Sequence, residues 1–361
     1  MTDESAPTRA QRKDDHVRLA AAQQEGAVRG NEYDDLDFVH GALPTTDPDR
    51  VDLSVTVGDW RWPTPFYVNG MTGGTETTTR INRDLAIVAA RTGMPMACGS
   101  VSVALDEPEA AAGFTVIRQE NPRGFVMANL GVGRSGDDAR RAVDLLEADA
   151  LQLHLNAVQE TAMPEGSCDF STWRRSVSEI VAASPVPVIV KEVGFGLSRS
   201  TLTELTDLGV QFADVSGRGG TDFLAIENAR RTGPDYSFLT GFGQSALACL
   251  LDAPAAGPAL LASGGVRNPY DVVKALAAGA HAVGVAGVFL KTVLDGGPEA
   301  FEELVTGWLD QTRGLIALLG AGRVADLGAT DLLVRGRLRE FLELRGVDTG
   351  ALARRSTERR P

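Results

Sequence analysis

The chain has 361 residues, 43% hydrophobic and 23% charged, the balance of a globular protein with a sizeable core. A formal charge of −13 with no interior basic stripe argues against a nucleic-acid surface, and Arg354, Arg355, Arg359 and Arg360 read as a solvated tail. No stretch reaches the roughly 18 uncharged apolar residues of a membrane span, no secretory h-region precedes the first charges, and Cys98, Cys168 and Cys249 lack a CxxC spacing, so a reduced, cytoplasmic, non-membrane protein is expected.

Residues 1–11 read as a disordered tail. They are followed by the basic patch Arg12-Lys13-Asp14-Asp15-His16 and an acidic run from Glu32 to Asp37. Eight short apolar runs then recur, centred on Phe66-Tyr67-Val68, Met94-Pro95-Met96, Phe125-Val126-Met127, Leu151-Gln152-Leu153, Val188-Ile189-Val190, Phe212-Ala213-Asp214, Leu260-Leu261-Ala262 and Val283-Gly284-Val285. Amphipathic stretches such as Ala139 to Leu146, Leu202 to Leu208 and Val272 to Ala278 separate several of them. Strand–helix alternation eight times over predicts a parallel (β/α)8 TIM barrel with an N-terminal extension and C-terminal helices. A further helix is expected through Phe301, Leu304, Trp308 and Leu309. The whole of 12–350 reads as one domain, and 351–361 as a disordered basic tail. An open doubly wound sheet is the alternative, but GxGxxG does not follow the first strand; Met71-Thr72-Gly73-Gly74 does.

Chemistry in such a barrel sits at the C-terminal strand ends. Those positions carry Met71 to Gly74, Gly99-Ser100, Asn129, His154 to Glu160, Lys191-Glu192, Ser216 to Thr221, Gly264-Gly265 and Ala286-Gly287. The fourth strand alternates Leu151, Leu153 and Leu155 with Gln152, His154 and Asn156, then continues into Gln159-Glu160. Burying that many polar groups unpaired would cost about 1–3 kcal/mol each, so a polar ligand is expected there. The plainer alternative makes Asn156 a helix N-cap with Gln159 and Glu160 in the first turn. Ser263-Gly264-Gly265 and Ala286-Gly287 offer backbone N–H groups with helix N-termini behind both, and with Ser216 to Thr221 they point to a phosphorylated cofactor. Lys191, ending an apolar strand, needs an anionic partner: Glu192, or the N1/C2 edge of a reduced flavin. His40 and His281 read as surface residues. Arg118 and Arg123 read as loop residues, Arg118 within possible reach of a phosphate, and Trp60, Trp62, Trp173 and Trp308 as packing.

The set Arg12-Lys13…His16, Met71-Thr72-Gly73-Gly74, Ala128-Asn129-Leu130-Gly131, His154-Leu155-Asn156…Gln159-Glu160, Met163-Pro164-Glu165-Gly166, Val190-Lys191-Glu192-Val193-Gly194, Ser216-Gly217-Arg218-Gly219-Gly220-Thr221 and Ala262-Ser263-Gly264-Gly265 resembles the type 2, FMN-dependent isopentenyl-diphosphate Δ-isomerase family, over about Arg12 to Thr349. The resemblance implies an isomerase that interconverts isopentenyl and dimethylallyl diphosphate with reduced FMN, NADPH as reductant, and Mg²⁺. It would place FMN on Met71, Thr72, Gly73, Ser100, Asn129, Lys191, Ser216, Thr221, Gly264, Gly265, Ala286 and Gly287, and Mg²⁺ on Glu160. Gln159 and His154 would be the catalytic side chains. The substrate would meet Arg12, Lys13, His16, Ser100, Asn156 and Gln159, the first three reaching over from a neighbouring subunit of a homo-tetramer or homo-octamer.

The pattern is broken at Val101-Ser102, where the family has Gln then Arg or Met. It is also broken at Phe242 and Ala246, where Trp and Thr are usual, and at Ser167-Cys168, where Asp-Arg is usual. These changes leave open a paralogue acting on another prenyl diphosphate, or a flavin oxidoreductase. Against oxidation of a hydroxy acid, the stretch that carries a catalytic His in oxidases of similar fold here holds Arg218.

Overall fold

The computed structural model describes residues 9–25 and 30–358. Eight strands close a parallel barrel: β1 (Phe66–Val68), β2 (Met96–Ala97), β3 (Val126–Gly131), β4 (Ala150–His154), β5 (Val188–Lys191), β6 (Phe212–Asp214), β7 (Ala259–Ser263) and β8 (Val283–Val285), with β8 pairing back onto β1. Each predicted apolar run coincides with one of them. The second starts only at Met96, because Pro95 has no N–H to give the ladder. The predicted helices form with their own punctuation. Ser135 caps Gly136–Leu146 in a capping box, Ser198 caps Arg199–Asp207, and Asn268 caps Pro269–Ala277.

The two ends of the barrel differ. At the N-terminal end, the hairpin Val55–Val57/Trp60–Trp62 lays Trp60 on Phe212 and both tryptophans against Phe125, sealing the bottom with aromatic rings. Outside β1, Phe66 packs on Phe289 and Trp308 of a long helix, Gly287–Leu318, broken at Gly297 (φ 68°). The predicted helix through Phe301 and Trp308 is its second half. Leu36–Phe38 pairs antiparallel with Leu332–Val334, tying the N-terminal extension to the C-terminal segment.

A helix labelled α1 (Arg9–Glu25) begins inside the stretch read as an N-terminal tail, and short helices at Thr349–Leu352 and Arg355–Glu358 occupy part of the stretch read as a C-terminal one; residues 1–8 and 359–361 lie outside the described residues. Arg355 donates to the Ala277 carbonyl, 2.7 Å away. Arg118 is not in a loop. It lies in the helix Ala112–Glu120 and binds the carbonyls of Leu146, Asn121, Gly124 and Glu147 together with Asp149, which consumes its guanidinium in structure. The four tryptophans take up packing positions, with Trp62 and Trp308 buried.

Candidate active site

With its bottom sealed, the barrel opens only at the C-terminal strand ends, where a cavity of about 1440 Å³ lies under α1. Single-ligand pockets run to roughly 300–1,000 Å³, so this one has room for a cofactor and a small substrate together. Every site residue expected from the sequence lines it except Gly73, which is pressed against the Phe114 ring; a Cβ there would sit 2.1 Å from it. The Phe114 ring therefore leaves no room for a side chain at Gly73.

At one end of the cavity three turns crowd together so closely that only glycine fits. A Cβ on Gly264 (φ +95°) would lie 1.8 Å from the Gly217 carbonyl oxygen, and one on Gly217 would lie 2.0 Å from the Ala246 nitrogen. Ser216, at φ 38°, is held in the left-handed region by its N–H bond to Asp214. Gly287 begins the long helix with no side-chain cap at Ala286, so its first N–H groups are open to an anion. The second helix start expected here is not available: Asn268 caps Pro269–Ala277 by accepting from Tyr270 and Asp271.

Mid-cavity, Lys191 is buried and its ammonium donates to the backbone carbonyl of Glu192 at 2.8 Å. The Glu192 carboxylate turns away to accept from the N–H groups of Val193, Gly194 and Phe195. Of the two partners considered for Lys191, Glu192 therefore bonds it through its backbone carbonyl and reaches it with its carboxylate only through space. Burial pulls the Lys191 ammonium below its ordinary pKa against the pull of Asp214 and Glu192. Thr72 faces the same space with a buried hydroxyl that has no partner. His154 Nδ1 lies 2.9 Å from Asn129 Oδ1; burial first, then the charges of Lys191 and Lys13, push the imidazole down to about 3, so it is neutral at physiological pH.

The helix after β4, α2 (Ala157–Ala162), starts at Asn156, but the Asn156 side chain does not cap it. Its amide donates instead to Glu160 Oε1 at 3.0 Å and Gln159 Oε1 at 3.4 Å. Gln159 Nε2 in turn donates to Glu227 Oε1 at 2.8 Å. Glu227 belongs to α3 (Phe223–Arg230) and is fully buried between Gln159, Arg230 and His16, whose Nε2 is 3.0 Å away. Burial alone would raise that carboxyl, but its contacts to His16, Gln159 and Arg230 outweigh burial and hold it below the usual range.

Sequence reasoning missed Glu227. A carboxylate between Leu224, Ile226 and the paired Arg230, on a helix that follows a Gly-rich strand end, was the available signal. Asn31 and Arg134 were also missed. Asn31 donates to the Gly265 carbonyl at 2.6 Å, and Arg134, on the rim beside Ser102, is paired with Asp106.

Arg12, Lys13 and His16 line the cavity from α1 of the same chain. Polar contacts seat α1 on its own barrel: Arg12 on Glu165 at 3.3 Å, Gln23 reciprocally with the backbone of Asp222, and Thr75 on Asp14. Lys13 makes no ion pair among the described residues, and burial and Arg12 lower it to about 8.

A family model described as FMN-dependent dehydrogenase matches residues 138–334. An isopentenyl-diphosphate delta-isomerase of Kitasatospora griseola is 56% identical over 348 residues, 96% of each chain. One from Streptomyces sp. (strain CL190) is 53% identical over 97% of this chain and 96% of that one, and one from Staphylococcus haemolyticus 44% over 94% and 97%. The chain belongs to the type 2 isopentenyl-diphosphate Δ-isomerase family. Among solved structures, a mandelate oxidase (TM-score 0.60, 19% identity, 90% of this chain and 91% of that one) and a flavocytochrome b2 variant (0.64, 20%, 88% and 78%) share the barrel fold.

The cavity fits the family's cofactor on its own chemistry. The glycine cradle and the uncapped helix start suit a phosphate, while Thr72, Ser100, Asn129 and Lys191 offer polar groups along a planar ring. Arg218 points out of the cavity to Glu32 and the Gly241 carbonyl, so the position of the oxidases' histidine contributes no side chain here. Most of the departures from the family pattern also lie outside the walls. Val101 and Ala246 are buried elsewhere, Phe242 is exposed, and only Ser102 borders the cavity.

Proposed function

We propose that this protein interconverts isopentenyl and dimethylallyl diphosphate at the cavity under α1. The observation that carries the reading is the Gln159–Glu227–His16 cluster, which joins the expected reacting side chain to the anion-binding helix in one buried network, in a chain 56% identical to a relative named for that reaction. Reduced FMN, when bound, supplies the acid–base chemistry for shifting the double bond. The chain's own part is positional. Lys13, Arg12 and His16 attract the diphosphate from above, and Glu227 and Asn156 hold the Gln159 carboxamide against the hydrocarbon end.

No group of three or more His, Cys, Asp or Glu that could hold a metal occurs among the described residues. Glu160, held by Asn156 and the Ser167 N–H, is a single carboxylate, which suits Mg²⁺ that takes its other ligands from diphosphate and water. NADPH as reductant, a cytoplasmic setting and homo-tetramers or octamers are further parts of this reading.

The deciding assay is anaerobic incubation with FMN, NADPH, Mg²⁺ and isopentenyl diphosphate. Flavin-dependent dimethylallyl diphosphate supports the proposal; no product from FMN-loaded, reducible protein defeats it. A pH effect follows from Lys13. Its ammonium is present below about 8 and lost above it, while a bound anion would raise its pKa. KM for the diphosphate is therefore expected to rise above pH 8, by up to about tenfold per pH unit. A KM flat to pH 9.5 would show that Lys13 does not bind the anion.

A further inference from the structure

Beneath the cavity, a line of buried side chains crosses the barrel interior from β6 to β4. Asp214 is fully buried and accepts from Tyr67 Oη at 2.9 Å, Ser263 Oγ at 2.9 Å, the Ser216 N–H at 3.0 Å and Asn69 Nδ2 at 3.3 Å. Asn69 Oδ1 accepts from the Gly70 N–H at 2.9 Å and from Gln152 Nε2 at 3.4 Å. Gln152 Oε1 accepts from Asn129 Nδ2 at 3.1 Å, and Asn129 Oδ1 meets His154 Nδ1 at 2.9 Å. Asn69, Gln152 and Asn129 are each buried.

The direction of this line is not free. An ionised carboxylate only accepts, and a backbone N–H only donates. Asp214 and the Gly70 N–H together require Asn69 to turn its NH2 to Asp214 and its oxygen to Gln152. Gln152 must then give its NH2 to Asn69 and its oxygen to Asn129. Asn129 must give its NH2 to Gln152, so its oxygen faces His154. Reversing any one carboxamide sets two acceptors or two donors face to face among buried side chains.

We infer that this carboxamide line sets the tautomer of His154, with Gln152 as the positioning residue: Nδ1 carries the hydrogen and Nε2 is left as a lone-pair acceptor for the ligand. The ring is neutral in this state: burial first, then the ammonium groups of Lys191 on β5 and Lys13 on α1, oppose a second proton, against the backbone carbonyl of Leu130, which also faces the ring. On the diphosphate reading of the site, on which this last step rests, a phosphate oxygen that meets Nε2 must itself bring the hydrogen. His154 then accepts from the substrate instead of donating to it.

Magic-angle-spinning NMR of the FMN-loaded enzyme, labelled with ¹⁵N-histidine, reads the tautomer directly. The chain has four histidines, and a His154→Gln sample identifies the signal of interest. The expected spectrum at pH 7 shows a protonated Nδ1 and an imine-type Nε2 at His154. In Gln152→Met the signal is expected to split between tautomers, with kcat/KM for isopentenyl diphosphate falling about tenfold or more. A wild-type His154 that is protonated at Nε2, or at both nitrogens, overturns the inference. So does a Gln152→Met enzyme that keeps the single Nδ1–H form. The wild-type spectrum decides even if Gln152→Met does not fold. It also needs no substrate, so failure of the isomerase assay would leave the tautomer result standing.

Discussion

Gln159→Ala is expected to lower kcat about 10²- to 10⁴-fold, the span for removing a group that works at the reacting atoms, while the purified protein still carries FMN. Gln159 is buried, and its carboxamide is fixed at both ends: Nε2 on Glu227, Oε1 accepting from Asn156. A side chain held that rigidly keeps one orientation toward a bound hydrocarbon, which the alanine methyl cannot imitate. The residues expected to hold FMN lie on other strand ends, so flavin content should not change. Glu227 keeps Arg230 and His16 after the substitution, so its buried charge is not abandoned. Anaerobic turnover measured beside the flavin absorbance of the same preparation makes the test. A fall of less than tenfold would remove Gln159 from the reacting centre. Glu227→Gln should also lower kcat while leaving FMN in place, because Gln159 and Arg230 would lose the carboxylate that holds them.

Gly264→Ala is expected to yield protein with little or no FMN and a clearly lowered Tm. The new Cβ would stand 1.8 Å from the Gly217 carbonyl oxygen, at a φ of +95° that side-chain-bearing residues rarely adopt. Strain of about 1–3 kcal/mol from the backbone conformation adds to about 1–3 kcal/mol for overpacking, and relief requires the turns after β6 and β7 to separate. Those two turns form much of the phosphate cradle, so relieving the clash opens it. Flavin content after purification and thermal unfolding with and without added FMN check this. Full FMN occupancy with an unchanged Tm would show that the cradle tolerates a side chain and is not shaped by close approach. Gly133→Ala is the control: its Cβ would meet nothing within 4 Å, although its φ of +93° carries the same backbone penalty.

What the sequence by itself determined is whatever depends on neighbours along the chain. Alternating or continuous apolar runs of three to six residues marked all eight barrel strands, because strand formation and burial on both faces of a parallel sheet are written into local composition. The amphipathic stretches Ala139 to Leu146, Leu202 to Leu208 and Val272 to Ala278 marked three of the helices for the same reason. Given eight parallel strands, the rule that strand ends gather at one face was enough to collect the polar strand-end residues of the cavity, but not the lining that α1, Asn31 and Arg134 add. The tertiary structure alone decided which atoms meet. Gln159 and Glu227 are 68 positions apart, and Asp214 lies 60 beyond His154; no local pattern pairs them. Nothing local to Gly73 announces the Phe114 ring that leaves no room for a side chain there. Arg118 looked available for a phosphate until four carbonyls and a carboxylate closed around it. The seat of α1 is the same kind of fact. A polar, alanine-rich helix carries little amphipathic signal of its own, and the burial of Val17 and Ala20 with the Arg12–Glu165 ion pair and side-chain hydrogen bonds to residues far along the chain set where it lies. Helix and strand formation are short-range, whereas a buried charge or carboxamide is oriented by whichever partner the closed barrel brings within about 3 Å.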